Sequence, residues 1–246
     1  MLELRIANPS RANALDRAML DRLVDVLAPD GIAGAAVVLL GGDGGRHFSS
    51  GLDLRADDHD VLAQHLRAGE RVLGRAADAI ATCPVPVIGV LNGVAAGGAL
   101  ELASACDWRV ASPDARLAMP AATRLGVVYA AEGLARFVAL MGPARARLLF
   151  LTGAPVDARR ALELGLVDEV VDEPVALWAS ARAAARAVAD AAPIAIAGTR
   201  AVIDALSRGD AAEVARMWRR RAFESRDHRE GLAAFAERRP PHFTGS

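Results

Sequence analysis

The stretch VPVIGVLNGVAAGGALELASAC, residues 85–106, constrains the fold of this chain more than any other. Val85 to Leu91 is apolar and β-rich, the composition of a short strand buried on both faces. A glycine-rich turn follows, and from Gly97 onward the composition is helical. Gly97 and Gly98 stand where that helix begins, so their amides have no partner within it and can approach a ligand closely. Glu101 follows three residues after Gly98 and is the one charged residue between Gly93 and Cys106. A carboxylate in such a run is either the surface residue of a tight turn or is held inside at a cost of several kcal/mol. The second case usually has a functional reason.

With 246 residues and 53% hydrophobic content the chain can bury a sizeable core, most simply as one domain with an appendage. Basic and acidic residues number 29 and 30, a net charge of -1 that asks for neither nucleic acid nor an anionic membrane. Every basic residue is arginine, which excludes a Schiff-base lysine and a Walker-type phosphate loop. Cys83 and Cys106 are too few for a disulfide framework, and a reducing cytoplasm is the expected location. The start of the chain, MLELRIANPSRAN, has no signal-like apolar core, and no run of eighteen apolar residues occurs, so neither secretion nor membrane spanning is expected.

Along the chain, strands are expected at Leu2 to Ile6, Ala36 to Leu40, Trp108 to Ala111, Arg116 to Met119 and Leu166 to Val171. Helical spacing covers Ala14 to Leu27, two stretches before Pro84, Glu132 to Leu140, Pro143 to Leu151 and Asp157 to Leu164. After Pro174 helices alone are expected, at 176–191, 194–207, 211–223 and 229–237. The class is α/β, with a core over residues 1–192 and a helical region over 193–246. His59 and His65 are six apart without HExxH or paired cysteines, so no metal site is expected there. The central turn lacks GxGxxG, and no GxSxG elbow occurs.

HFSSGLDL at 47–54 and NGVAAGGALELASACD at 92–107 resemble the two signature segments of the crotonase family, the enoyl-CoA hydratase/isomerase superfamily. NPSRANAL at 8–15, RVASPDARLAMP at 109–120, LTGAPVDARRALELGLVDEVV at 151–171 and EGLAAFAERRPPHF at 230–243 follow in that family's order. The resemblance implies a spiral of ββα units with a helical C-terminal trimerisation region. It implies an acyl-CoA thioester as substrate, with coenzyme A entering as part of that substrate and no separate cofactor. A homotrimer or a dimer of trimers is implied as well.

By position in the motifs, the resemblance implies that the backbone amides of Leu52 and Gly98 stabilise an enolate. Glu101 falls on the first of two hydratase glutamates. The second is missing: in MPAATRLG, residues 119–126, Ala121 or Ala122 takes its place. Glu132 lies where some relatives carry an alternative acid, and can equally be read as the solvated first turn of a helix. Ala14, Gly51, Asp53, Leu54, Arg55, Ala56 and Gly97 are implied neighbours of the CoA, with Asp53 holding the loop. Phe235 and Arg238 match an FxEKR-like pattern with arginine in place of lysine, a substitution that keeps a phosphate grip. The implied reaction is hydration of a trans-2-enoyl-CoA to a 3-hydroxyacyl-CoA. Double-bond isomerisation, hydrolysis or dehalogenation of an acyl-CoA, and acyl-CoA binding without turnover remain open.

Overall fold

The computed structural model describes residues 1–55 and 59–246; Ala56, and the side chains of residues 59–65, 67 and 208, lie outside the described residues. The expectations placed on Ala56, and on the side chains of His59 and His65, therefore fall outside them too. The chain runs β1 (Leu2–Ile6), α1 (Arg17–Leu27), β2 (Val38–Gly42), β3 (His47–Ser49), α2 (His59–Ala81), β4 (Val87–Leu91), β5 (Val94–Ala96) and α3 (Gly98–Ser104). It continues through β6 (Trp108–Ala111), β7 (Arg116–Ala118), α4 (Ala131–Thr152), β8 (Val156–Asp157), α5 (Ala158–Leu164) and β9 (Glu169–Val170). Four helices close it: α6 (Leu177–Ala189), α7 (Pro193–Arg208), α8 (Ala211–Glu224) and α9 (Arg226–Glu237).

The described residues form two sheets. One is parallel, in the order β1-β2-β4-β6-β9; the other is ordered β3-β5-β7-β8, with β8 antiparallel to β7. From β2 to β7 successive strands alternate between them: β2 leads to β3 and then α2, β4 to β5 and then α3, β6 to β7 and then α4. Each ββα unit thus adds one strand to both sheets, which is the expected spiral. β2 and β4 are buried along their whole length because both faces are covered. Val38, Leu40, Val87 and Leu91 face the main core with α2 and α3, while Leu39, Ile88 and Val90 pack on Leu177, Ala181 and Ala185 of α6.

Several boundaries moved for local reasons. Helix α1 starts at Arg17, not Ala14, because the Asp16 side chain accepts from Met19 N at 2.8 Å and caps it. The two helical stretches expected before Pro84 are one helix, α2, in which Gly69 sits against the Leu52 side chain. The pair expected at 132–151 is joined in α4 but broken at Gly142 (φ 77°), immediately before Pro143. The short strands β3, β5 and β8 belong to the second sheet and were not expected. In the C-terminal region, Arg200 of α7 docks on the core through Asp107 and the carbonyl oxygens of Cys83 and Ala81. Among the described residues no helix is long and apolar enough to cross a membrane.

Candidate active site

The first loop of the site is held from behind by two buried asparagines. Asn13 Nδ2 donates to the carbonyls of Asp43 and His47, and Asn92 Nδ2 donates to Gly44 O and His47 O, so the segment entering β3 has its backbone acceptors filled. At its far end Gly51 has φ 99°, and a Cβ there would lie 2.7 Å from Ala96 O. Only glycine satisfies both conditions. Leu52 forms a parallel bridge with Leu15, made by Leu15 N to Gly51 O (2.8 Å) and Asp53 N to Leu15 O (2.9 Å). That pattern turns the Leu52 N–H to the opposite side.

The second loop leaves β5 through Gly97, at φ 54° and ψ -124°, whose own amide donates to Ala118 O. Gly98 is the first residue of α3, so its amide has no acceptor in the helix. Neither the Leu52 nor the Gly98 amide is paired with a backbone carbonyl among the described residues. The two loops touch: a Cβ on Gly51 would lie 3.5 Å from Gly98 N, and one on Gly98 would lie 3.4 Å from Leu52 Cγ. Together with Leu54, Leu66, Glu70 and Tyr129 they line a cavity of about 120 Å³.

Glu101 lies one turn further along α3, where the i, i+3 spacing puts it above Gly98 on one face. It is 5% exposed. Its Oε2 accepts from the Tyr129 hydroxyl at 2.5 Å, and its Oε1 accepts from Arg136 Nη1 at 3.3 Å. Arg136 also donates to Asp78 of α2. Burial pushes the Glu101 carboxyl up from its ordinary value, against the opposing pull of the Tyr129 hydrogen bond and the Arg136 charge. Burial, and then the Glu101 charge, push the Tyr129 phenol upward as well, so it stays a proton donor. Gly133 makes room for the pair: a Cβ there would come within 2.7 Å of Tyr129 Cε1 and 3.1 Å of Glu101 Oε1.

The motif positions Gly51, Leu52, Leu54, Gly97 and Gly98 are gathered in one cavity wall, and Ala121, one of the two alanines that the motif offers for the missing acid, lines the same wall. Glu132 is exposed in the first turn of α4; the carboxylate of Glu101 is partnered by Tyr129 and Arg136. Ala14 is buried beside the Leu15 bridge. Asp53 accepts from Arg55 and Arg11, and the Arg55 guanidinium holds its carboxyl down at about 2. Phe235, 86% exposed, and Arg238, which ends α9 in the left-handed conformation, are not part of the cavity wall. Sequence reasoning missed Tyr129, Arg136 and Glu70. The available signal was that Tyr129 is the sole tyrosine in the chain, four residues before Gly133.

A sequence model described as enoyl-CoA hydratase/isomerase matches residues 1–246. The chain belongs to the enoyl-CoA hydratase/isomerase family. It is 32% identical over 253 residues to a probable enoyl-CoA hydratase of Bacillus subtilis, covering 98% of this chain and 94% of that protein. It is 34% identical to the human mitochondrial enoyl-CoA hydratase domain-containing protein 2, covering 99% and 85%. Among solved structures it is similar to an enoyl-CoA hydratase of Bacillus anthracis, with a TM-score of 0.92 at 30% identity over 99% of this chain and 95% of that one. The alternating two-sheet spiral is therefore the crotonase fold of this family, with its helical C-terminal region present.

Proposed function

We propose that this family member adds water across the double bond of a 2-enoyl-CoA, giving a 3-hydroxyacyl-CoA through an enolate. The observation that carries the reading is the pair of backbone amides, Leu52 and Gly98, opening on one cavity against the Tyr129 hydroxyl and the Glu101 carboxylate behind it. In this reading the thioester oxygen accepts from both amides, and the charge that develops on it meets donors already in place. Each such donor contributes about 3 kcal/mol in comparable acyl-transfer sites. Glu101 carries a proton that the reaction moves. Ala14, Leu54 and Arg55 border the nucleotide end, where Arg55 and Arg11 offer guanidinium groups that are 60% and 52% exposed. Phe235 and Arg238 serve the CoA of a neighbouring copy in a trimer or a dimer of trimers. Exposed Ile203, Leu206, Met217, Phe223 and Leu232 on α7 to α9 support that assembly.

A second reading, acyl-CoA binding without turnover, is favoured by an alanine, Ala121 or Ala122, in the acid's place and by the exposure of Glu132. Melting curves with acetoacetyl-CoA and turnover assays over a panel of 2-enoyl-CoA and 3-enoyl-CoA substrates separate the readings. Ligand binding to the folded state raises the melting temperature by mass action. A raised melting temperature with hydration supports the proposal, migration of the double bond alone makes the protein an isomerase, and binding with no turnover selects the second reading. A melting curve left unmoved rejects all of them.

A further inference from the structure

We propose that Glu70 is the second proton-transferring carboxylate of this site, facing the thioester from the α2 wall. The proposal rests on the hydration reading above. Leu66, Glu70 and Leu73 are spaced i, i+4, i+7 on α2, so one helical face presents all three, and all three line the cavity that contains Leu52, Gly98 and Tyr129. The same helix is fixed over the site at Gly69, where a Cβ would lie 3.2 Å from Leu52 Cδ1, and at Leu73, which touches Gly98. Among the described residues lining this cavity Glu70 is the one carboxylate. Glu101 stands behind the Tyr129 hydroxyl, and position 121 holds a methyl group.

The two carboxylates differ in surroundings, and this divides their roles. Glu70 is exposed on the cavity within reach of water and acts as the base; Glu101 is buried behind the Tyr129 hydroxyl and acts as the acid. The Glu70 carboxylate takes a proton from water as the water oxygen bonds to Cβ. The π pair moves toward Cα, and the thioester oxygen takes the negative charge beneath the two amides. The enolate then collapses: Cα takes the phenolic proton of Tyr129, and the Tyr129 oxygen takes the proton of the Glu101 carboxylic acid. Glu70 is left protonated and Glu101 ionised, and exchange with solvent returns the proton. One water has been added, and nothing is oxidised or reduced.

The test is Glu70→Gln in the full chain. The side chain is exposed, so the melting temperature is expected to stay near that of the wild type. The kcat is expected to fall at least about a hundredfold, the low end for a positioned acid or base, while the Kd for a saturated acyl-CoA stays within about twofold. Glu70→Asp, which keeps a carboxylate on the same wall, is expected to recover part of the rate. A Glu70→Gln protein that keeps more than about a third of kcat, or that loses affinity alone, overturns the proposal and leaves hydration standing. Wild-type protein that binds acyl-CoA but hydrates no enoyl-CoA removes both.

Discussion

Replacing Tyr129 with phenylalanine deletes one oxygen and little else. The ring keeps its edge contact with Phe150, at 5.4 Å between centroids, and Arg136 still holds the other oxygen of Glu101. What is lost is a 2.5 Å hydrogen bond to a buried carboxylate. Hydrogen bonds to charged groups contribute about 1.5–3 kcal/mol, and without this one the Glu101 carboxyl is expected to rise further. The bond stabilises the ionised form, so its loss is felt only where Glu101 ionises. Below the wild-type value both proteins hold a protonated Glu101 and differ little. As pH rises through the window between the wild-type and variant values the variant binds more protons when folded than the wild type does, and its stability deficit grows to about 1.5–3 kcal/mol. For a chain of this size that corresponds to about 3–12 °C in melting temperature. Melting temperatures of both proteins across pH 4 to 9 measure the growth of the gap. Turnover is expected to fall at least about a hundredfold, because the phenolic proton delivered to Cα is gone. A deficit that does not change with pH, together with a turnover within about twofold of wild type, would refute the reasoning.

The remaining predictions follow from packing. Gly133→Ala places a methyl group against Tyr129 and Glu101 from inside helix α4, where the backbone cannot retreat; overpacking is expected to cost about 1–3 kcal/mol in denaturant unfolding and to lower kcat more than acyl-CoA affinity. Arg200→Gln removes the guanidinium that ties α7 to Asp107 and to the carbonyls of Ala81 and Cys83. A loss of about 2–3 kcal/mol is expected, with faster proteolytic cleavage of the linker before Pro193; unchanged cleavage would show that α7 is held by its apolar contacts instead.

Much of the frame was legible because it depends on local requirements. Val87 to Leu91 had to be a doubly covered strand, since no residue in it tolerates water, and the helices of the last third follow from apolar spacing alone. Leu52 and Gly98 were singled out by their place in the two motifs, and the glycines before them hold backbone geometry that few other residues adopt: Gly51 at φ 99° and Gly97 at φ 54°. The chain by itself also fixed that a carboxylate, Glu101, follows the second of these turns by three residues. It did not fix that carboxylate's company. Tyr129 and Arg136 reach Glu101 across 28 and 35 residues, and Glu70 reaches the same cavity from α2. Such meetings depend on how α2 and α4 close over the turn between β5 and α3. Strands β3, β5 and β8 stayed hidden for the same reason: at two or three residues each they have no periodicity of their own and exist only through the partners that the tertiary fold supplies.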